Sequence, residues 1–122
     1  MPDPVTNRLD AMLQFNANAL RLRSERQAVL ASNIANADTP NYKAVDFDFA
    51  KALRDANDAS AKNVVGSKPA TLYRQPAQAS LDGNSVEMDA ERAQFADNTV
   101  RYEAALRFLN GQIKTLLEAL RT

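Results

Sequence analysis

The last third of the chain carries a long heptad pattern, which limits the possible folds more than any other feature. Between residues 95 and 120, eight positions recur at alternating spacings of four and three, and seven of them are apolar or aromatic. The eight are Phe95, Thr99, Tyr102, Leu106, Leu109, Ile113, Leu116 and Leu120. Such spacing forms one stripe on an α-helix, which requires a partner helix at a shallow angle. The sequence therefore predicts a helix over residues 86–120 that pairs with a helix of the same chain or of another subunit.

A second helix is predicted over residues 8–36, with Thr6 or Asn7 as its N-cap. Its apolar residues follow two neighbouring tracks at spacings of three and four. The first track is Leu9, Leu13, Leu20, Leu30 and Ile34, interrupted by Asn16, Arg23 and Gln27, and the second is Met12, Phe15, Ala19, Leu22 and Val29, interrupted by Arg26. Together the tracks cover roughly half of the helix circumference, which is more than one partner helix needs. The pattern indicates contact with several neighbouring helices, although a core-facing helix with a wide face would also fit.

Residues 31–44 are typical of a helix exit. Pro40 disfavours helical geometry at the preceding residue, so the helix should end by position 38. Asn33 and Asn36 lie three residues apart, and their amides can bond carbonyls of the last turn and amides of the departing chain. Tyr42 supplies a ring that can fold back on the helix end. On chemistry alone, the segment is a well-formed helix C-terminus with no further role.

The middle of the chain gives weaker signals. Residues 37–85 hold three of the five prolines and two of the three glycines. The alternation of apolar and acidic residues from Val45 to Phe49 predicts a short strand or an extended stretch. A short helix is expected to follow within residues 50–62, through Leu53. Residues 63–85 show no sustained period and are expected to form turns and irregular chain.

The charged residues of this region and of the first helix are expected to be solvated. Nothing in the sequence predicts burial of Asp46 or Asp48, so a surface position is favoured over an acid/base pair. Arg21, Arg23 and Arg26 form a small basic cluster, for which a solvated or inter-subunit face is the expected place.

Composition excludes many kinds of site. The chain has no histidine and no cysteine, which removes the usual nucleophiles, bases and zinc ligands. Its three glycines stand far apart and match neither nucleotide fingerprint. Residues 82–87 only faintly resemble a calcium loop, because a loop starting there would need Gly at position 87 and Glu at position 93, which are Glu87 and Ala93. We therefore expect no enzymatic activity, no metal and no cofactor.

Partners of two classes are also disfavoured. Fifteen basic and fifteen acidic residues give a formal net charge of zero, which offers no electrostatic argument for nucleic acid or an anionic membrane. No apolar run approaches the roughly 18 residues of a transmembrane helix, and the first residues do not resemble a secretory signal.

Two stretches of the chain resemble bacterial flagellar rod and hook proteins. The first is Ser32-Asn33-Ile34-Ala35-Asn36 followed by Thr39-Pro40-Asn41-Tyr42-Lys43, and the second is Gly83-Asn84-Ser85-Val86-Glu87-Met88-Asp89 followed by Asn98-Thr99-Val100-Arg101-Tyr102. The resemblance covers roughly residues 8–50 and 83–120. Hook and distal-rod members usually have Gly before the tyrosine, so Asn41 favours the proximal-rod members.

The resemblance implies a structural subunit of the proximal rod. Such a protein would leave the cell through the flagellar type III apparatus without a cleaved signal and assemble in the periplasmic space into a tubular drive shaft. Its partners would be further copies of itself, other rod proteins, ring/rod junction proteins and the export apparatus. Carried over by position, Asn33, Asn36, Thr39, Pro40 and Tyr42 would shape the turn that leaves the first helix. The residues expected to pack helices together are Leu13, Leu20, Leu30, Ile34, Phe95, Tyr102, Leu106, Leu109, Ile113, Leu116 and Leu120.

Taken together, the sequence predicts a mainly α fold. Two long terminal helices pair as an α-helical hairpin or coiled coil, and an irregular, partly disordered segment lies between them. The expected divisions are residues 1–44, 45–85 and 86–122. The alternative function is a small helical adaptor or export chaperone, which would bind a partner through the C-terminal helix in a complex of fixed stoichiometry.

Overall fold

Over residues 4–61, 69–74 and 81–121, which the computed structural model describes, the chain forms three α-helices and one two-stranded sheet. In chain order these are α1 (Pro4–Ala35), β1 (Val45–Asp46), α2 (Phe49–Ala61), β2 (Leu72–Tyr73) and α3 (Met88–Leu120). The mainly α fold with two long terminal helices is confirmed. The turns expected within residues 63–68 and 75–80 lie outside the described residues.

The first helix is longer at its N-terminus than predicted. α1 begins at Pro4, ahead of the expected cap at Thr6 or Asn7, because proline suits a first helical turn whose N–H groups have no intrahelical partner. The helix ends at Ala35, ahead of the limit that Pro40 sets.

The long helices α1 and α3 run antiparallel and form a hairpin within one chain. Three polar contacts show the direction, because the residue numbers rise on α1 while they fall on α3. These contacts join Asn16 to Gln112, Gln27 to Thr99, and Asn33 to Glu91. In the described part of the chain, no helix is long and apolar enough to cross a membrane.

Helix α2 covers the middle of α1 and completes a small core. Leu22, Phe47 and Ala52 are buried together, and partly buried residues pack around them: Val29, Phe49, Leu53 and Ala56. The guanidinium of Arg23 lies 3.6 Å from the centroid of the Phe49 ring, a cation–π contact. Burial lowers the pKa of Arg23, and neighbouring positive charges add to this effect. Arg23, expected on a solvated or inter-subunit face, is therefore half-buried beside Phe49 of its own chain.

The sheet joins the exit of α1 to the middle of the chain. β1 and β2 are antiparallel, with Val45 opposite Tyr73 and Asp46 opposite Leu72. β1 confirms the predicted extended stretch at Val45 and Asp46, but Phe49, which was also expected in it, begins α2. β2 has no sequence period that would predict it. Asp48 ends the extended stretch as the N-cap of α2, because its Oδ1 accepts a hydrogen bond from the Lys51 backbone N–H at 3.2 Å.

Candidate assembly site

Asn33 is the centre of the junction where α1 ends and α3 begins. Its side chain is fully buried. The Nδ2 group donates to the Val45 carbonyl at 2.7 Å and to Glu91 Oε2 at 3.0 Å. The Oδ1 atom accepts from the Val45 N–H at 3.1 Å and from the Tyr42 hydroxyl at 3.3 Å. The Asn33 amide thus bonds both backbone groups of Val45, as a neighbouring strand would, and links the exit of α1 to the first turn of α3.

The other exit-motif residues shape the turn itself. Asn36 Nδ2 donates to the Ser32 carbonyl at 2.8 Å, and the Thr39 hydroxyl donates to Asn36 Oδ1 at 3.1 Å. The Tyr42 hydroxyl also lies 3.4 Å from Ser32 Oγ, so this side chain folds back on the helix end. Pro40 is exposed and lies just after the last turn.

Two residues in this junction have left-handed backbone conformations. Asn41 has φ 63° and Gly83 has φ 74°. Asparagine is one of the few residues that adopts this region readily, so it can replace a glycine before Tyr42. The two positions also touch, because a Cβ on residue 83 would overlap the side-chain oxygen of Asn41.

A segment just ahead of α3 caps the end of α1. The Asn84 side-chain nitrogen lies within 3.0 Å of three carbonyl oxygens in the exit turn. These carbonyls belong to Asn36, Ala37 and Thr39. Ser85 adds two bonds, since its N–H donates to the Tyr42 carbonyl at 2.9 Å and its Oγ accepts from the Ala44 N–H at 2.8 Å. Neither role was predicted from the sequence.

A cluster of four charged side chains lies beside the Asn33 amide. Arg26 binds Asp46 through two nitrogens, at 3.1 and 3.0 Å. Arg74 forms ion pairs with both Asp46 and Glu91. Glu91 is fully buried, and Asp46 keeps only 17% of its side-chain surface exposed. The expected solvated position of Asp46 is therefore wrong, and so is the solvated or inter-subunit face expected for Arg26.

The charges around Asp46 set its protonation. Burial acts to raise the pKa of this carboxyl group. The hydrogen bond from Arg26, the bond from the Phe47 N–H and the charges of Arg26 and Arg74 outweigh burial. The pKa of Asp46 therefore lies below its ordinary value, and the group is ionised at neutral pH.

The inner surface of the hairpin is interrupted by polar layers. Asn16 Nδ2 donates to Gln112 Oε1 at 2.6 Å near the open end of the hairpin, where α1 begins and α3 ends. Nearer the junction, Asn98 is fully buried, and its Nδ2 donates to the Arg23 carbonyl and to Gln27 Oε1 at 2.9 and 2.8 Å. Such layers favour one register of the two helices, because a shifted register leaves buried polar groups unpaired.

The predicted stripe of α3 is divided between two faces. Eight buried or half-buried positions at spacings of four and three form the inner row: Glu91, Phe95, Asn98, Tyr102, Ala105, Leu109, Gln112 and Leu116. The outer row is Leu106, Ile113, Leu117 and Leu120, which spans about 60° around the helix. Exposure in the outer row runs from 36% at Leu106 to 82% at Leu120. α1 supplies Leu13, Leu20 and Ile34, which are half-buried, and Leu30, which is fully buried.

Two open apolar grooves lie on either side of the inner row. One of them, here called the front groove, has a volume of about 580 Å³. Leu106, the first residue of the outer row, is among its lining residues. The front groove is lined by Ser24, Gln27, Ala28, Ala31, Phe95, Thr99, Tyr102, Glu103 and Leu106. The back groove, of about 560 Å³, is lined by Leu9, Met12, Leu13, Arg107, Phe108, Gly111, Gln112, Thr115 and Leu116. In the front groove, the small side chains of Ser24, Ala28 and Ala31 permit close approach of another helix.

The grooves and the outer row are apolar surfaces of the kind that pack against helices. Within the described ranges, no group of three or more acidic, histidine or cysteine side chains is placed to hold a metal ion. The buried carboxylates and amides are held in the junction by hydrogen bonds and ion pairs. What the hairpin offers to a partner is apolar surface on both flanks.

Comparison with known proteins agrees with this description. The family model described as "Flagella basal body rod protein" matches residues 13–43, which cover most of α1 and the exit turn. The flagellar basal body rod protein FlgB of Escherichia coli is 46% identical, over 95% of this chain and 97% of its own length. FlgB of Salmonella typhimurium is 45% identical, over 93% and 96%, and FlgB of Cereibacter sphaeroides is 44% identical, over 89% and 93%. With this identity over nearly the whole length, the chain belongs to the FlgB family of flagellar basal body rod proteins.

Proposed function

We propose that the protein is a non-enzymatic structural subunit of the proximal rod in the flagellar basal body, and that it assembles with other rod subunits by helix packing. The main support for this mode of assembly is that the outer row of α3 is exposed. Its leucines and isoleucine follow a heptad spacing, yet the chain's own α1 packs on the neighbouring inner row. A heptad row left in solvent by its own hairpin is suited to a helix of another subunit.

The two grooves support contacts on both flanks of each subunit. The front and back grooves have different linings, so the two flanks of the hairpin present unlike surfaces. Contacts between unlike surfaces are heterologous, and they build open helical arrays instead of closed dimers. This is the kind of contact that a tubular drive shaft needs.

Membership of the FlgB family supports a proposal for the place and route of assembly. We propose assembly in the periplasmic space after export through the type III apparatus without a cleaved signal. The partners would then be further copies of the chain, other rod proteins, ring/rod junction proteins and, during export, the export apparatus. No direct membrane insertion and no nucleic-acid partner are part of this proposal.

Ile113→Asp tests the mode of assembly. Ile113 is 44% exposed in the single chain, so the purified variant should fold with unchanged helix content. In the bacterium, the carboxylate would be buried at a subunit contact without a partner, at a cost of several kcal/mol. We expect export to continue, rods to be missing from purified basal bodies, and swimming to be lost.

Val100→Asp is the matched control, because Val100 is 67% exposed on the same helix but lies about 140° around it from Ile113. This variant should form rods and swim. Normal rods with Ile113→Asp would refute assembly through the outer row. A stable cytoplasmic complex of fixed stoichiometry with another protein would favour the adaptor function instead.

A further inference from the structure

Arg74 lies in the middle of the chain, outside the stretches that match rod and hook signatures, yet it reaches the centre of the junction. Its backbone N–H donates to the Ala44 carbonyl at 2.8 Å, next to β1. Its guanidinium uses two different nitrogens, Nη1 toward Glu91 and Nη2 toward Asp46. One residue of the β2 segment thus holds the chain that leaves α1 and the first turn of α3.

Glu91 makes this contact necessary. The side chain is fully buried, and a buried carboxylate is costly unless it is paired with a cation and its oxygens accept hydrogen bonds. Asn33 supplies a hydrogen bond to Oε2, but an amide carries no charge. Among the residues that the structure describes, Arg74 is the cation in an ion pair with Glu91.

The contacts form a continuous path from Arg74 to the exit motif. Glu91 is fixed on one oxygen by Arg74 and on the other by Asn33 Nδ2. The same Nδ2 group donates to the Val45 carbonyl, and Asn33 Oδ1 accepts from the Val45 N–H. The orientation of the Asn33 amide therefore depends on a carboxylate whose own position depends on Arg74.

We propose that Arg74 is a positioning residue, a clamp through which residues 69–74 hold the exit of α1 and the start of α3 at a fixed angle. A guanidinium fork can bridge two carboxylates, whereas a lysine ammonium is a point charge that satisfies one of them well. The clamp makes the geometry of the hairpin base depend on the middle of the chain. Any effect of this clamp on assembly rests on the proposed rod function, but the clamp itself is a property of the single chain.

Hydrogen exchange of backbone amides in the purified chain measures the clamp. The informative probe is the Val45 amide, which Asn33 Oδ1 holds, and the reference is the Gln112 amide near the open end of the hairpin. Arg74→Met should lower the protection of Val45 by about tenfold or more, because it leaves Glu91 buried without a cation. Gln112 should change much less. Arg74→Lys should fall between Arg74→Met and the unchanged chain.

Two further variants separate positioning from general loss of stability. In the otherwise unchanged chain, Glu91→Gln should lower the exchange protection of the Val45 amide. In the Arg74→Met background, Glu91→Gln should raise this protection, because a neutral amide needs no cation. Arg101→Met is the control, since Arg101 pairs with Asp97 on the exposed surface of α3. Arg101→Met should change the exchange protection of the Val45 and Gln112 amides by no more than about twofold, because surface ion pairs contribute little to stability.

The reversal of the Glu91→Gln effect is the decisive result. Additive effects of Arg74→Met and Glu91→Gln would overturn the proposal, and so would equal losses at Val45 and Gln112. If Arg74→Met fails to fold, recovery of the fold in the double variant supports the clamp, and no recovery overturns it. Because exchange is measured on the isolated chain, failure of the proposed assembly would appear separately, in the Ile113→Asp experiment.

Discussion

Replacing Asn33 by alanine should destabilise the single chain more than any other change in the exit motif. The variant removes both hydrogen bonds to Val45 and the bond to Glu91 Oε2, at a fully buried position. It leaves a backbone N–H, a backbone carbonyl and a carboxylate oxygen without this partner in the interior.

The size of the loss follows from these contacts. A hydrogen bond to a charged group contributes about 1.5–3 kcal/mol, and each neutral bond contributes about 1 kcal/mol. The 3.3 Å contact with Tyr42 is long for an O–H donor and adds little. Asn33→Ala should therefore lower the free energy of unfolding by about 3.5–5 kcal/mol. That is a large share of the roughly 5–15 kcal/mol typical of folded proteins.

Urea denaturation of the purified chain at pH 7, followed by far-UV circular dichroism, measures the loss. Asn36→Ala is the control, because Asn36 is only half-buried and its two side-chain bonds, to the Ser32 carbonyl and from the Thr39 hydroxyl, are both solvent-exposed. Its cost should be about 1 kcal/mol. Equal losses in the two variants, or a loss below about 1 kcal/mol for Asn33→Ala, would refute the reasoning that Asn33 holds the junction together.

Three further predictions concern other parts of the molecule. Gly83→Ala should cost about 1–3 kcal/mol in urea denaturation, and Asn41→Gly in the same chain should recover part of that loss by removing the overlap. The pKa of Asp46 is lowered in the folded chain, so the ionised carboxylate stabilises the fold above its unfolded pKa of about 4. This stabilisation is lost as the pH falls through the folded pKa. The denaturation midpoint should therefore drop less steeply in acid for Asp46→Asn than for the unchanged chain. Asn16→Leu combined with Gln112→Leu should hold or raise the melting temperature, yet give more than one hairpin register in distance measurements between spin labels on the two helices.

The periodic parts of the fold could be predicted from the sequence. The heptad spacing of α3 and the apolar tracks of α1 are local signals, and both helices are present. The exit of α1 was also predictable, because Pro40 and the two asparagines act within a few residues of the helix end. Asn41 carries a local signal as well, since it adopts the left-handed conformation that a glycine would otherwise supply.

Contacts between distant segments could not be predicted. Arg74 and Asn84 have no periodic neighbours, and their partners lie far away in the sequence at Glu91 and in the exit turn. Asp46 was expected in solvent because a single sequence does not show that Arg26 and Arg74 converge on it.

The division of α3 into two rows was hidden for a related reason. Counting apolar residues places Leu106 and Ile113 in the same stripe as Leu109 and Leu116. The structure instead turns Asn98 and Gln112 inward, because α1 supplies polar partners at the matching heights. Three-dimensional pairing of polar groups, and not hydrophobicity alone, sets the rotation of this helix.

Site-specific photo-crosslinking in assembled basal bodies tests the outer row most directly. A photoreactive residue at position 113 lies in the outer row, and one at position 105 lies in the inner row against α1. We predict that position 113 yields a covalent species with the mass of two rod subunits, and that position 105 yields none. Intact rods with no such species from position 113, or with equal yields from both positions, would contradict assembly through the outer row.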